Sequence, residues 1–316
     1  MVQPSLPVLA IVTPCFNEEA IIVSTLQQLT GLLTDLIRDQ RISSKSFIVF
    51  VDDGSRDQTI SLILSNKNER VKLLKLAGNV GHQHALLAGL HFVTNKVDCC
   101  VSLDADLQDD TGVIVNMVEE FVKGNHIVYG VRGNRDTDSA IKRGTAELFY
   151  KFMLRMGVPL IYNHADFRLI SNPVLIELKK YREVNLFLRG IFPSMGYPSS
   201  NVYYTRKKRE AGESKFPFWK MVHFAITGIT SFTNYPLKII LAMGAAVFLG
   251  SLLATAWVVW VVLTGRNIPG WASITLPIYL LGGIQLLAVG VLGEYISKIY
   301  LETKGRPLYH VEEVIE

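Results

Sequence analysis

The first 131 residues alternate between short apolar runs and longer segments in which apolar positions recur with a helical period. The longer segments predict helices, among them residues 20–38 and 81–94. The apolar runs predict five strands, at residues 8–12, 47–51, 71–76, 99–103 and 126–131. Strands that alternate with helices are typical of an α/β fold with a mostly parallel sheet and helices on both faces.

Two long apolar segments follow in the C-terminal part of the chain. No charged residue lies between Lys238 and Arg266, and none lies between Arg266 and Glu294. A membrane-spanning helix needs about 20 such residues. Residues 239–263 and 274–292 therefore predict two transmembrane helices joined by a short loop. The alternative is a buried helical hairpin in a soluble protein, which two adjacent segments of this length disfavour.

Basic residues lie on the outer flanks of these two segments. The basic residues that flank the two segments are Arg206, Lys207, Lys208, Arg209, Lys215, Lys220, Lys238, Lys298, Lys304 and Arg306. The connecting loop offers only Arg266, so the positive-inside rule places both termini in the cytoplasm. The net charge of +4 is modest and concentrated near the membrane segments, which indicates anionic lipid as a partner and not nucleic acid.

The three cysteines are Cys15, Cys99 and Cys100. Their spacing is not that of a disulfide framework or a zinc site, which favours a reducing compartment.

A polar cluster follows each of the first four predicted strands. The clusters are residues 13–19, 52–55, 78–82 and 104–110. In open α/β sheets, ligands bind beyond the carboxyl ends of the strands. The four clusters therefore predict a single binding site at that edge of the sheet.

The fourth cluster contains two carboxylates, Asp104 and Asp106, directly after an apolar strand. Carboxylates this close repel one another, and a hard divalent cation with bound phosphate relieves the repulsion. This spacing favours a metal site that holds a nucleotide diphosphate. The alternative is a solvated acidic turn that continues through Asp109 and Asp110.

The other clusters also have structural alternatives. We expect Asn17 to cap a helix that begins at Glu18. Residues 52–55 have two interpretations. They form only a turn, with Asp57 capping the next helix, or they supply a carboxylate that accepts hydrogen bonds from a base or ribose. His82 and His84 lie on different faces of a helix, so we expect capping or packing from them and not a metal pair.

Four of these segments, in this order, resemble the family 2 glycosyltransferases, which have the GT-A nucleotide-sugar fold. They are Thr13-Pro14-Cys15-Phe16-Asn17-Glu18-Glu19, Val51-Asp52-Asp53-Gly54-Ser55, Asn79-Val80-Gly81-His82 and Asp104-Ala105-Asp106-Leu107-Gln108. Three later segments resemble the branch that transfers sugar to polyisoprenyl phosphate. They are Ala165-Asp166-Phe167-Arg168-Leu169, Gly212-Glu213-Ser214-Lys215-Phe216 and Gly293-Glu294-Tyr295-Ile296. With its two predicted spans, the chain is most similar to the bactoprenol glucosyltransferases and is related to the dolichyl-phosphate mannose synthases.

The resemblance implies roles for individual residues. Those expected to bind the nucleotide sugar are Pro14, Phe16, Glu18, Asp53, Asp104 and Ala105, with Glu18 on the ribose and Asp53 facing the base. Asp104, Asp106 and Gln108 would hold Mg²⁺ or Mn²⁺ against the diphosphate. Asp106 and Asp166 are the candidate catalytic residues. In this interpretation Asp166 is a base, a positioning group or a metal ligand. The alternative is that Asp166 is only a structural partner of Arg168 or a turn residue.

Basic residues are expected to bind the phosphate of the acceptor or donor. The candidates are Arg132, Arg209 and Lys215, beside Ser214, with Lys142, Arg143 and Arg206 as further possibilities. Residues 216–236 mix aromatic and aliphatic side chains with few charges, which is typical of interfacial helices. The expected domains are a GT-A domain (1–215), juxtamembrane helices (216–236), a transmembrane hairpin (237–297) and a cytoplasmic tail (298–316).

The expected activity is inverting transfer of one sugar, with UDP-glucose as donor and undecaprenyl phosphate as acceptor, at the cytoplasmic face of a bacterial inner membrane. Small residues in the spans permit a homo-oligomer. One alternative is a processive polysaccharide synthase, although the Gln-x-x-Arg-Trp motif usual in that class is absent from the sequence. Another is a non-catalytic membrane scaffold, which the complete set Asp104, Asp106, Gln108 and Asp166 disfavours.

Overall fold

A computed structural model describes residues 6–133, 164–184, 186–205, 235–264 and 270–316. The chain divides into two compact units. The first contains the described residues up to 205 together with residues 306–316, and the second contains the described residues from 235 to 305.

Within the described residues, the first unit is built on a mixed sheet of eight strands. The strands are β1 (Leu9–Cys15), β2 (Phe47–Asp52), β3 (Val71–Leu76), β4 (Cys99–Ser102), β5 (Ile127–Arg132), β6 (His164–Ser171), β7 (Ser199–Tyr204) and β8 (Val311–Ile315). Their order is β7-β5-β6-β4-β1-β2-β3-β8. The pairs around β1 and β2 are parallel, as is the pair of β5 with β7. The remaining pairs, β3 with β8 and β6 with both β4 and β5, are antiparallel.

Helices follow most of the strands. They are α1 (Ile22–Arg38), α2 (Thr59–Asn66), α3 (His82–Val93), α4 (Ile114–Val122), α5 (Asn172–Leu178) and α6 (Leu188–Ser194). All five strands expected from the sequence are present, with ends shifted by three residues at most, which confirms the α/β class with a mostly parallel sheet. The pattern did not predict β6, which inserts between β4 and β5.

The centre of the sheet is fully buried. Every residue of β1 and β2 is buried, as expected for parallel strands covered on both faces. Helix α3 lies very close to these strands at Gly89. A Cβ atom there would lie 2.4 Å from Val12 Cγ1 and 2.7 Å from Val51 Cγ2. Only glycine permits so close an approach of α3 to β1 and β2.

The order of the strands reverses between β1 and β4. From β1 the chain proceeds through β2 and β3 on one side, and then returns to place β4 on the other side of β1. At such a reversal the loops after the two strands diverge and leave a crevice in which ligands bind. The loops that follow β1 and β4 are the ones that carry residues 13–19 and 104–110.

The described part of the second unit consists mainly of two long helices, α7 (Tyr235–Leu263) and α8 (Trp271–Thr303), of 29 and 33 residues. Among the described residues, one stretch, Ile284–Thr303, is long and apolar enough to cross a membrane, with a mean hydropathy of 1.3. Two transmembrane spans therefore stay a prediction. Residues 216–234 of the expected juxtamembrane segment lie outside the described residues.

Candidate active site

The loops after β1 and β2 are tied together by hydrogen bonds. The Asn17 amide N donates to Ser55 Oγ at 3.0 Å, and the Arg56 amide N donates to Asn17 Oδ1 at 2.9 Å. The expectation that Asn17 caps a helix beginning at Glu18 is wrong, because α1 begins at Ile22 and Ile21 occupies its N-cap position. With a φ of 54°, the backbone of Asn17 directs its amide side chain to the neighbouring loop instead.

The segment after β2 forms a turn. The Asp52 carboxylate accepts hydrogen bonds from the amides of Gly54 at 3.1 Å and Ser55 at 3.0 Å. Asp57 lies one residue before Gln58, the N-cap of α2, and accepts from the Thr59 amide at 3.0 Å. Asp52 therefore organises the turn, as its structural interpretation expected. Asp57 was expected to cap α2, but the N-cap position belongs to Gln58, and Asp57 binds the first turn from one residue earlier.

Asp53 connects this turn to the loop before α3. Its Oδ1 accepts from the Val80 amide at 2.7 Å and its Oδ2 from the Gly81 amide at 3.0 Å. Burial raises the pKa of Asp53, although the two amide donors oppose the rise. The carboxylate thus holds residues 80 and 81 in place, and its contact with a nucleotide base stays a prediction.

The other expected nucleotide-binding residues of the first loop differ in exposure. Pro14 is buried within β1, Glu18 is half-buried and 41% of Phe16 is exposed. The amide of Glu18 donates to Thr59 Oγ1 at 2.9 Å, so the start of α2 supports this loop. An exposed aromatic ring beside a crevice offers a surface on which a planar base can stack.

The loop after β4 carries the expected metal ligands. Ala105 and Gln108 are buried, whereas Asp104 and Asp106 are partly exposed. Thr25 Oγ1 on α1 donates to the Ala105 carbonyl at 2.7 Å, and the backbone amide of Gln108 donates to Asp106 Oδ1 at 3.2 Å. These bonds fix the backbone so that both carboxylates stand at the crevice edge.

The charges around Asp104 suit a divalent cation. Burial raises the pKa of Asp104, His82 opposes the rise, and nearby carboxylates add to it. Those carboxylates are Asp166, Asp109 and Asp106. The described residues contain no group of three His, Cys, Asp or Glu side chains arranged to hold a metal by themselves. Mg²⁺ is usually held by one or two carboxylates together with substrate phosphates, and the Asp104 loop fits that mode of binding.

His82 lies in the site, contrary to the expectation of capping or packing. Its Nε2 is 3.4 Å from Asp104 Oδ1 and 3.9 Å from Asp166 Oδ2, and 44% of its side chain is exposed. The signal in the sequence was its position in the cluster after β3. His84 does pack, because its two ring nitrogens lie 3.0 Å from the Val80 carbonyl and 3.2 Å from the Val184 carbonyl.

Asp166 on β6 is buried between two arginines. Arg168 pairs with its Oδ1, and Arg189 Nη2 on α6 lies 3.0 Å from its Oδ2. Burial alone would raise the pKa of Asp166, but Arg189 and Arg168 outweigh it and hold the pKa well below its usual range. The carboxylate is therefore ionised at neutral pH and is a weak base.

Arg189 was not identified from the sequence. It lies 23 residues after Asp166 at the start of α6, in a segment that shows no motif by itself. Gln83 fixes this helix start, since its Oε1 accepts from the Leu188 amide at 3.2 Å and its Nε2 donates to Asp166 Oδ2 at 3.4 Å. With 31% of its side chain exposed, Arg189 can also contact an anionic ligand.

Arg132 belongs to a second cluster at the end of β5. Its Nη2 lies 3.7 Å from Asp109 Oδ1, and its Nε donates to the Tyr204 hydroxyl at 3.4 Å. The Tyr204 hydroxyl in turn donates to Asp109 Oδ1 at 2.5 Å. The other expected phosphate-binding residues lie outside the described residues. They are Lys142, Arg143, Arg206, Arg209, Ser214 and Lys215.

The chain is similar to several known proteins. Residues 10–178 match the family model described as Glycosyl transferase family 2. The chain is 49% identical over 312 residues to the glycosyltransferase YkoT of Bacillus subtilis, covering 98% of this chain and 93% of YkoT. It is 39% identical over 311 residues to the Bactoprenol glucosyl transferase of Shigella phage SfX, and the match covers 96% of this chain and 98% of the phage protein. Mannosyl-3-phosphoglycerate synthase from Rubrobacter xylanophilus is a distant structural neighbour, with 14% identity and a TM-score of 0.45. The match covers 84% of this chain and 78% of the synthase.

Proposed function

Because this chain belongs to glycosyltransferase family 2, we propose that it transfers a single sugar from a nucleotide sugar to a polyprenyl phosphate. The proposed donor is UDP-glucose and the proposed acceptor is undecaprenyl phosphate. The observation that supports this most strongly is the partly exposed Asp104 carboxylate, with His82 and Asp166 beside it, at the point where the strand order reverses. The name of the phage SfX relative supports both the sugar and the lipid.

The donor would lie in the crevice between the loops after β1 and β4. Phe16 and Glu18 would border the uridine, and Asp53 would support the loop that closes the site beside the base. Asp104, Asp106 and Gln108 would hold Mg²⁺ or Mn²⁺, and the metal would neutralise the charge that develops on the leaving nucleoside diphosphate. The protein's own contribution is to keep both carboxylates at the crevice edge.

The acceptor does not require a strong base. A phosphate monoester has a second pKa of about 6, by analogy with phosphorylated side chains, so it is mostly a ready nucleophile at neutral pH. This fits Asp166, whose pKa is depressed by its arginine partners. We therefore assign Asp166 a positioning role: it would orient Arg189 toward the reacting phosphates.

Single displacement at the anomeric carbon would invert its configuration. The lipid phosphate would attack one face of the sugar while the diphosphate leaves from the other. Arg132, Arg209, Ser214 and Lys215 are proposed to bind phosphate oxygens. Helices α7 and α8 are proposed to span the membrane, with both termini and the catalytic domain in the cytoplasm and with helix contacts that allow a homo-oligomer.

A radiolabel transfer assay tests this function. The purified full-length protein is incubated with undecaprenyl phosphate, Mg²⁺ or Mn²⁺, and in turn with labelled UDP-glucose, UDP-N-acetylglucosamine, UDP-galactose and GDP-mannose. We expect UDP-glucose to deliver label to the organic phase as one sugar per lipid.

Other outcomes would contradict the proposal in different ways. Label in a water-soluble polymer would indicate a processive synthase. Nucleotide binding without any transfer would indicate another acceptor. The absence of both binding and transfer would indicate a scaffold.

A further inference from the structure

The C-terminal residues return to the catalytic unit. Residues 306–316, here called the C-terminal strap, follow α8 and add β8 to the free edge of β3. The two strands are antiparallel, with Leu73 opposite Ile315 and Leu74 opposite Val314. The sequence had suggested only a tail for this part of the chain.

Ion pairs reinforce the pairing of these strands. Lys75 Nζ lies 2.9 Å from Glu312 Oε1, and Lys72 Nζ lies 2.8 Å from Glu316 Oε1. Lys67 Nζ also donates to the Glu316 backbone oxygen at 2.8 Å. Three lysines of the β3 region therefore meet the acidic residues of the strap, although pairs this exposed are individually weak.

One side-chain hydrogen bond ties the strap to α3. The Tyr309 hydroxyl and His91 Nδ1 lie 2.8 Å apart. A cavity of about 380 Å³ remains beside this bond, lined by residues of α3, β3 and the strap. The strap is thus attached by the strand ladder, the ion pairs and the Tyr309 bond, and Ile315 also packs against the hydrophobic core of the first unit.

The strap also contacts the start of the loop that enters the active site. The Ala77 amide, directly after β3, donates to the His310 carbonyl at 3.0 Å. Three residues later, the amides of Val80 and Gly81 bind Asp53, and His82 follows beside Asp104. One end of loop 77–82 is thus held by the strap and the other end forms part of the site.

We propose that the C-terminal strap is a positioning element for the donor site, with Tyr309 and Glu312 as positioning residues. Docking of the strap fixes Ala77 and thereby sets the position of Val80, Gly81 and His82. This inference rests on the proposed glycosyl transfer for its kinetic consequence, but the position of the loop can be measured without any reaction. Loosening the strap would weaken donor binding and leave the chemical step unchanged.

Two variants of the full chain test the proposal. Glu312→Lys places a second cation beside Lys75, and Tyr309→Phe removes the bond to His91 while keeping the ring. The control is Glu177→Lys, which disrupts an exposed Lys–Glu pair at the end of α5, where Lys180 Nζ lies 2.7 Å from Glu177 Oε1. Hydrogen exchange of residues 72–82 is measured together with KM for the nucleotide sugar and kcat.

We expect both variants to speed hydrogen exchange at Val80 and Gly81 and to raise KM about fivefold at unchanged kcat. The control should leave both the exchange rates and KM unchanged. Faster exchange confined to β3 and β8, with Val80, Gly81 and KM unchanged, would show that the strap only covers the sheet edge and would overturn the proposal. If the wild type transfers no sugar, the proposed function fails, whereas exchange at Val80 and Gly81 still decides the role of the strap.

Discussion

Asp166 and Arg168 stand two residues apart on β6 and form an ion pair inside the protein. Arg168 has no exposed surface, and only 5% of Asp166 is exposed. Arg168 Nη1 also donates to the Leu188 carbonyl at 3.3 Å, so the pair connects β6 to the start of α6. The same residues thus determine both the stability of this region and the position of Arg189.

Replacing Asp166 by Asn should destabilise the fold as well as reduce transfer. Loss of the carboxylate leaves the buried Arg168 without its counter-ion, and breaking a buried pair in this way costs ~3–5 kcal/mol. We expect chemical denaturation of the variant to show a decrease in unfolding free energy of that size.

The matched control for this prediction is Glu177→Gln, which removes one partner of an exposed pair and should leave stability unchanged. A stable Asp166→Asn protein with wild-type unfolding would contradict the structural role assigned to the pair.

Stability should decrease in mild acid because of His91. Burial lowers the pKa of His91 to about 4, and Lys179 contributes to the shift. An unfolded histidine binds its proton near pH ~6.5, so between these two values the unfolded chain binds more protons than the folded one. The contribution of His91 is therefore fully present above pH ~6.5 and is lost as the pH falls toward 4.

Thermal unfolding of the wild type and of His91→Gln at pH 7.5 and pH 5 measures this effect. Between pH 7.5 and pH 5, we expect the wild type to lose on the order of 1 kcal/mol more unfolding free energy than the variant. An identical pH dependence of the two proteins would show that folding does not lower the pKa of His91.

A methyl group at Gly89 should be poorly tolerated. The added Cβ of Gly89→Ala would overlap Val12 and Val51, and relief of such overpacking costs typically ~1–3 kcal/mol. Gly31→Ala in α1 is the control, because nothing lies within 4 Å of its added Cβ. There we expect no loss of stability and up to ~1 kcal/mol of gain from helix propensity. Equal effects at the two glycines would contradict the close approach of α3 to the sheet.

The parallel strands were predictable from the sequence because burial on both faces makes them continuous apolar runs. Strand β6 was not, since its buried positions include the charged residues Asp166 and Arg168, which interrupt the apolar pattern. Strand β8 was also missed. Its sequence has Glu312 and Glu313 at its centre. Glu312 pairs with Lys75 and Glu316 pairs with Lys72, and each lysine is more than 200 residues away in the chain.

The site was predictable only where its residues are consecutive in the chain. The Asp104 loop and the turn at Asp53 follow their strands directly, so a local pattern was enough. Arg189 reaches Asp166 only after α6 has docked, and Gln83 fixes that helix from 105 residues away. The expected cap at Asn17 failed for a similar reason, since its partner is the Arg56 amide of another loop.

The most direct test of the account is transfer of label from UDP-glucose to undecaprenyl phosphate by three variants compared with the wild type. Asp104→Asn and Asp106→Asn remove the expected metal ligands, whereas Asp110→Asn alters a carboxylate of the same loop that accepts from the Gly112 amide at 3.2 Å. We expect wild-type transfer that requires Mg²⁺ or Mn²⁺, loss of turnover in the first two variants and near wild-type transfer in the third. Full transfer by Asp104→Asn, or transfer by the wild type in excess EDTA, would contradict a metal-dependent site at the end of β4.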